Sequence, residues 1–275
     1  MQWETLTSLE FVDAVEACQG VGIIPVGVIE PHASHLPLGT DMITAHWLAC
    51  RVAEQEPVVI FPAYPFGTNI ESAHLPGSVA IGRDLILALL ENVCDEMARN
   101  GLTRIILLSG HGGNRHFLPF FVQTLPERDK TYAVYYADLP PMPDGDALLQ
   151  TKEIGHACEW ETSVMLHIAE DLVKMDQVPP KPFSNLARLR QLQETGAYTQ
   201  ADWFSQYPFM YVGDASQASA ETGRKFLEHT VASLVDLIRA VKADGVTPEL
   251  VREFLQKKSN PTAPPFWTGD TGQQE

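Results

Sequence analysis

The stretch GIIPVGVIEPHASHLPLGTD, residues 22–41, joins an apolar run to a group of ionisable side chains. Its first eight residues do not alternate polar with apolar, which is the pattern of a strand buried on both faces of a parallel sheet. The ionisable side chains that follow are Glu30, His32, His35 and Asp41. Because ligands bind beyond the carboxyl ends of parallel strands, the stretch predicts a buried first strand with a polar site at its end.

Three more apolar runs of this kind predict strands at 58–65, 104–110 and 131–139. Amphipathic stretches separate or follow these runs. The predicted helices span 41–56, 83–101, 114–125, 159–173 and 218–245. Strands that alternate with helices predict right-handed crossovers, and therefore an α/β fold in which helices cover both faces of a mostly parallel sheet.

The chain shows no internal repeat, and we predict one domain over residues 1–258. A Pro-containing segment at 177–185 separates two of the predicted helices. Residues 259–275 contain three prolines and no periodicity, which indicates a C-terminal tail. Within that tail, Phe266 and Trp267 are candidates for docking on a neighbouring surface.

Composition limits the classes of partner. A formal charge of −16 disfavours nucleic acid and anionic membrane surfaces, because both require clustered basic residues. The amino terminus lacks the order of a signal peptide and the chain has no long uncharged apolar run, so we expect a cytoplasmic protein that acts on small molecules. Four widely spaced cysteines, Cys18, Cys50, Cys94 and Cys158, indicate reduced thiols rather than disulfides or a sulfur-rich zinc site.

A second polar cluster, SGHGGN at 109–114, follows the third predicted strand. If the first and third strands are neighbours, His111 faces Glu30 and His32. Mixed carboxylate and imidazole ligands suit Zn²⁺ or Mn²⁺, and the two oxygens of Asp41 can bridge two ions. Asp41 also suits a helix cap, and each histidine alone is typical of an ordinary polar residue. Their coincidence at strand ends favours a metal site.

A third cluster, GHACEWETS, precedes the fourth predicted helix. His156 and Glu159 are three residues apart and share a helical face, and Glu161 follows. The alternative is a helix amino terminus enriched in acids that favour its dipole. His74 and Trp160 are candidates for the wall of a substrate pocket, although an ordinary loop histidine fits His74 equally well.

The loop GHGGNR also fits a phosphate-binding turn at a helix amino terminus. The dinucleotide fingerprint G-x-G-x-x-G fails there, because Arg115 takes the place of the third glycine. A nucleotide-binding α/β oxidoreductase is therefore one alternative function. A non-catalytic protein that keeps the fold is another.

Taken together, these motifs resemble the creatininase family of metal-dependent amidohydrolases. In that family the first strand is followed by Glu-x-His and then by His-Leu-Pro-Leu-Gly-Thr-Asp, and EPHASHLPLGTD has the same order and spacing. The resemblance continues through HLPGS, SGHGGN, HACEWETS and VGDASQASAETGRKFLE, and spans about residues 5 to 240. It implies a three-layer α/β/α fold, a small amide, cyclic amide or formamide as substrate, and a homo-oligomer, commonly a hexamer.

Carried over by position, the resemblance also implies two divalent ions, Zn²⁺ and/or Mn²⁺, with Fe²⁺ as an alternative. Glu30 and His111 would bind one ion, His32 the other, and Asp41 would bridge them. The ions would supply hydroxide at neutral pH for attack on the carbon of a C–N bond.

The remaining positions of the implied site lie in the second and third clusters. Creatinine-cleaving members carry a glutamate where this chain has Gly113. The resemblance implies Glu159 as the replacement ligand, with Glu161 as a supporting residue or alternative. His156 matches the histidine to which the family assigns proton transfer, and His35 takes a structural or pocket role. Members with the Gly-Gly form include formamidopyrimidine deformylases and cofactor-precursor peptidases.

Overall fold

A four-stranded parallel sheet in the order β2-β1-β3-β4 forms the centre of the computed structural model, which describes residues 1–262. The strands are β1 Val21–Val26, β2 Val59–Ile60, β3 Arg104–Ser109 and β4 Ala133–Ala137. Val21 pairs with Arg104 and Val26 with Ser109, so β1 and β3 end side by side. The expectation that the first and third strands are neighbours is confirmed.

Helices connect and cover the strands. They are α1 Ser8–Ala17, α2 Thr40–Ala53, α3 Arg83–Arg99, α4 Asn114–Thr124, α5 Glu159–Ala169, α6 Arg190–Gln193, α7 Asp202–Gln206, α8 Ala220–Ala243 and α9 Val246–Ser259. The five predicted helices all form, each within a few residues of its expected bounds. None of the helices in residues 1–262 is both long and apolar enough to cross a membrane.

Successive side chains of the strands point to opposite faces of the sheet and build two cores. Ile23 and Ile106 pack with α2, α5 and α8 on one face. Ile24 and Ile105 pack with α1, α3 and α4 on the other. Burial of each such side chain stabilises the fold by roughly 1.5–3 kcal/mol, because its apolar surface is removed from water. These two cores confirm the predicted three-layer α/β/α fold.

Two details differ from the predicted bounds. β2 has only two residues, and Pro62, which has no N–H to donate, follows it closely. The chain then meets β1 again at an isolated bridge between Val26 and Tyr64. At the carboxyl terminus, α9 extends to Ser259, so the segment predicted as a tail begins inside the last turn of this helix. Phe266 and Trp267 lie outside the described residues.

Candidate metal centre

The first turn of α2 lies directly against the ends of β1 and β3. A Cβ atom on Gly27, just after β1, would overlap the backbone of Met42. One on Gly110, just after β3, would overlap the backbone carbonyl of Asp41. Because both positions are glycine, the helix can approach this closely, and Asp41 is held above the edge where the two strands end.

Asp41 contacts two histidines that follow different strands. Its Oδ1 lies 3.1 Å from Nε2 of His32, and its Oδ2 lies 3.1 Å from Nδ1 of His111. The same Nδ1 of His111 lies 3.0 Å from Oε1 of Glu30. All four side chains are buried. The structure therefore brings Glu30, His32, Asp41 and His111 together, as their positions after β1 and β3 suggest.

Backbone carbonyls fix which nitrogen of each histidine faces the carboxylates. Nδ1 of His32 donates to the carbonyl of Glu30 at 3.1 Å, which leaves Nε2 facing Asp41. Nε2 of His111 donates to the carbonyl of Thr68 at 2.9 Å, which leaves Nδ1 facing Glu30 and Asp41. A histidine whose outer nitrogen donates to a carbonyl is oriented as a metal ligand through its inner nitrogen.

Three carboxylate oxygens at the centre of the cluster accept no aligned hydrogen bond, although Nδ1 of His111 lies 3.0 Å from Oε1 of Glu30 and 3.1 Å from Oδ2 of Asp41. Both oxygens of Glu30 and Oδ2 of Asp41 are buried and accept no hydrogen bond from any residue in 1–262. An ionised carboxylate is costly to bury without a compensating partner. The oxygens and the inner nitrogens of His32 and His111 form the mixed donor set that divalent cations such as Zn²⁺ and Mn²⁺ accept. The residues present therefore fit a metal centre.

The ionisable groups of the cluster perturb one another strongly. Burial acts to lower the pKa of His32, but Asp41 outweighs it and raises that pKa to about 10. Burial also opposes protonation of His111, yet Glu30 and Asp41 hold its pKa well above the ordinary value. The pKa of Asp41 shifts in the opposite direction. Burial acts to raise this pKa, but the two histidines hold it below its usual range.

The two glutamates in the first turn of α5 face different surroundings. Glu161 offers a ligand atom within 4.8 Å of those of His32 and Asp41, and its carboxylate accepts a hydrogen bond from the backbone of Ala157. Glu159, the residue expected to be the last ligand, lies apart from this group. Its carboxylate accepts hydrogen bonds from the backbone N–H groups of Gln150 and Thr151. The geometry thus favours Glu161 over Glu159 as a ligand.

His156 stacks on the cluster from the side of α5. Its ring centroid lies 4.1 Å from that of His32, and its Nε2 donates to the carbonyl of Pro31 at 3.0 Å. The same nitrogen lies 4.0 Å from Oε1 of Glu30. On its other side, Trp203 of α7 contacts the ring edge to face, with centroids 6.0 Å apart. His156 is therefore held against the cluster by neighbours on both sides.

The remaining predicted residues occupy three different environments. His35 is buried, contacts Oγ1 of Thr162 at 2.9 Å, and has its pKa lowered to about 4 by burial and by His32. Exposed His74 donates to the carbonyl of Pro208 at 2.7 Å. Trp160 is partly buried and packs against α8 through Phe226. His35 is thus a neutral structural link between the first loop and α5.

Two residues near the cluster were not anticipated from the sequence. Glu71 lies on a one-turn 3-10 helix, Ile70–Ser72, with its Oε1 3.4 Å from Nε2 of His111. Trp203 reaches His156 from a segment more than forty residues further along the chain. Glu71 lies three residues before the start of the HLPGS motif, and nothing local in the sequence shows that it faces His111.

Fold and cluster together define an α/β protein with a candidate metal centre at the carboxyl ends of its strands. Residues 4–238 match the model of the creatininase family, described as creatinine amidohydrolase. This match covers most of the chain, and the protein belongs to the creatininase family of hydrolases.

Curated relatives carry different activities. A mycofactocin precursor peptide peptidase of Mycolicibacterium smegmatis is 31% identical over 231 residues, covering 81% of this chain and 85% of the relative. A creatinine amidohydrolase of Pseudomonas putida is 26% identical over 253 residues, covering 85% and 94%. Solved creatininases, in a Zn–Zn type and a Mn form, share the fold at 24% identity with TM-scores of 0.74 and 0.73. Each alignment covers 87% of this chain and 97% of the solved one.

Proposed function

We propose that this protein is a metal-dependent amidohydrolase that cleaves a C–N bond in a small amide, cyclic amide or formamide. One observation carries the proposal: three buried carboxylate oxygens of Glu30 and Asp41 accept no hydrogen bond from the described residues and face the inner nitrogens of two histidines. Bound divalent cations supply Lewis acidity, which polarises an amide carbonyl and lowers the pKa of water from about 15.7 toward 7.

The proposed ligands follow from the contacts of each side chain. Glu30 and His111 would hold one ion, and His32 and Glu161 would hold the other. Asp41 would contribute to both, since its Oδ1 faces His32 and its Oδ2 faces His111. Glu161 replaces the Glu159 assignment, because both oxygens of Glu159 already accept hydrogen bonds from the 150–151 backbone. Zinc and manganese are the proposed metals.

We propose that His156 moves a proton to the leaving nitrogen. The contact with the Pro31 carbonyl places a proton on Nε2 of His156, at the side of the ring that faces Glu30. The rings of His32 and Trp203 limit how far the imidazole can tilt. General acid catalysis of this kind contributes typically about 10²–10⁴ in rate.

The test combines metal analysis with a substrate panel. Protein stripped with a chelator and reconstituted with Zn²⁺ or Mn²⁺ is assayed against lactams, formamides and short amides. We expect up to two ions per chain and hydrolysis only in the reconstituted samples. Hydrolysis at an undiminished rate by metal-free protein would contradict the proposal. Family membership favours hydrolysis over nucleotide binding, and absorbance spectra of the purified protein check for a bound redox cofactor.

A second candidate activity is peptide cleavage. The relative with 31% identity is a peptidase that acts on a mycofactocin precursor peptide, and its identity exceeds that of the creatinine amidohydrolase reported above. The same metal centre serves both reactions, because a peptide bond is an amide. Short peptides therefore belong in the substrate panel, and turnover of peptides without turnover of lactams and formamides would favour this candidate.

A further inference from the structure

We propose that Glu71 is a positioning residue for the metal ligand His111, and that Gly113 keeps open the space that Glu71 occupies. The inference rests on the proposed metal centre. It concerns the Nε2 edge of the His111 imidazole, where an oxygen of Glu71 also lies within 4.8 Å of an oxygen of Glu30.

The first observation is the placement of the Glu71 carboxylate. Nδ1 of His111 faces the proposed metal site, while Nε2 donates to the carbonyl of Thr68 at 2.9 Å. Oε1 of Glu71 lies 3.4 Å from the same Nε2, and the Glu71 side chain is only 22% exposed. A carboxylate at this edge stabilises the positive charge that the ring gains when Nδ1 binds a cation. It also restrains rotation of the ring about its Cβ–Cγ bond.

The second observation is that the segment carrying Glu71 is anchored to the end of β1. The side chain of Asn69 donates to the carbonyl of Ile29 at 2.9 Å. The side chain of Asn114, at the start of α4, accepts from the backbone N–H of Thr68 at 3.3 Å and donates to the carbonyl of Val26 at 3.4 Å. Glu71 is therefore presented to His111 by a fixed turn.

The third observation is the absence of a side chain at position 113. A Cβ atom on Gly113 would overlap Nε2 of His111 and lie 2.7 Å from Oε1 of Glu71. Any larger residue would displace the imidazole, the carboxylate, or both. The backbone of Gly113 is in the right-handed helical region, so glycine is required here for space and not for an unusual backbone conformation. Gly113 and Glu71 form one arrangement around His111.

The primary test measures Zn²⁺ affinity by chelator competition on metal-stripped full-length protein. Glu71→Ala should weaken the binding of one of the two ions by about 10- to 100-fold. Glu71→Gln keeps the size of the side chain and loses its charge, so its loss should be smaller. Glu127→Gln is the matched control, because Glu127 is an exposed glutamate on another one-turn helix, Leu125–Glu127. Its affinity should equal that of the wild type.

A second pair of variants tests the space at position 113. Gly113→Ala should weaken the binding of the same ion. The double variant with Glu71→Ala should have a Zn²⁺ affinity only slightly lower than that of either single variant. Gly112→Ala is the control, because a Cβ atom there would meet only the flexible end of Arg115, at 3.2 Å. The visible spectrum of the Co²⁺-substituted protein provides an independent signal: it should change in Gly113→Ala and stay unchanged in Gly112→Ala.

The possible outcomes distinguish a failure of the Glu71 proposal from a failure of the proposed function. If the wild type binds two ions and Glu71→Ala binds both with unchanged affinity, the role of Glu71 is disproved while the proposed function stands. A lower melting temperature of the metal-free Glu71→Ala protein with unchanged affinity would show a purely structural role, and would likewise overturn the inference. A wild type that binds no metal would overturn both proposals.

Discussion

Two regions near the same end of the sheet each contain a buried carboxylate, and they differ in whether other groups donate hydrogen bonds to that carboxylate. Glu159 is fully buried and accepts hydrogen bonds from Gln150 and Thr151, with distances of 2.7 to 3.0 Å. Glu30 is equally buried and accepts no aligned hydrogen bond from the described residues. Burial alone therefore does not identify a ligand. A buried carboxylate that accepts hydrogen bonds from a loop holds that loop in place. A buried carboxylate without such donors is a candidate ligand for a cation.

The strongest test of this contrast is Asp41→Ala, which removes the side chain proposed to contact both ions. We expect metal content to fall well below two ions per chain and turnover to fall by at least about 10³-fold, since metal catalysis supplies several kcal/mol. Elemental analysis and single-substrate kinetics measure the two effects. A variant that retained full metal content would disprove the bridging role.

Next in size is Glu161→Gln, which keeps a hydrogen-bond acceptor for Ala157 and removes a charged ligand. We expect one ion to be lost or weakened and turnover to drop by about 10²-fold. Far-UV circular dichroism should be unchanged. Normal metal stoichiometry in this variant would exclude Glu161 as a ligand.

Glu159→Gln tests the other region. Its amide nitrogen would replace one oxygen that now accepts backbone hydrogen bonds, so we expect a loss of about 1.5–3 kcal/mol in the free energy of unfolding. Metal content should stay at the wild-type value. Glu170→Gln, an exposed change just after the same helix, is the control and should alter neither quantity. Metal loss in Glu159→Gln with an intact fold would reverse the comparison.

The smallest effect is the pH dependence of metal binding. In metal-free protein Asp41 raises the pKa of His32 to about 10 against the effect of burial, so this histidine is protonated at pH 7. Its contribution to stability is complete below its unfolded pKa of about 6.5 and is lost as pH rises toward 10. A bound cation displaces the proton, so metal affinity should increase with pH by up to about tenfold per unit for each proton released.

Calorimetry in two buffers with different ionisation enthalpies counts these protons. Thermal melts with and without metal provide the second measurement, since the stabilisation by metal should be larger at pH 9 than at pH 6. Metal uptake without proton release would contradict the assignment of His32.

Most of the sheet could be predicted from the sequence because its strands are buried on both faces and stand out as apolar runs. Helices α1, α6, α7 and α9 were missed. α9 leaves Val246, Leu250 and Phe254 largely exposed, although these residues recur every four positions as on one helix face. Its helical period is present in the sequence, so this helix could have been predicted. β2 was predicted too long, because the run at 58–65 includes Pro62 and Pro65, which have no N–H to donate to a sheet.

The sequence predicts the part of the site whose residues follow strand ends. It does not predict which acid on a helix faces the cluster, because that depends on the rotation of the helix about its axis. Glu159 and Glu161 are two residues apart, so they point about 200° apart around the helix axis. Which one faces His32 depends on how α5 is turned against the sheet, and both are plausible acids for a first helical turn. Glu71 was missed for a related reason, since its turn is placed by Asn69 and Asn114 and not by its own sequence.

The pairing of β1 with β3 also sets the order of events during folding. Val21 pairs with Arg104, so the strand that precedes Glu30 and His32 gains its central partner only after a long intervening segment has been made. Contacts between distant parts of a chain form slowly, because the closure of long loops costs entropy. Glu161 is synthesised later still. We therefore expect a nascent chain that ends before His111 to have no competent metal centre, and the cation to bind a largely completed protein.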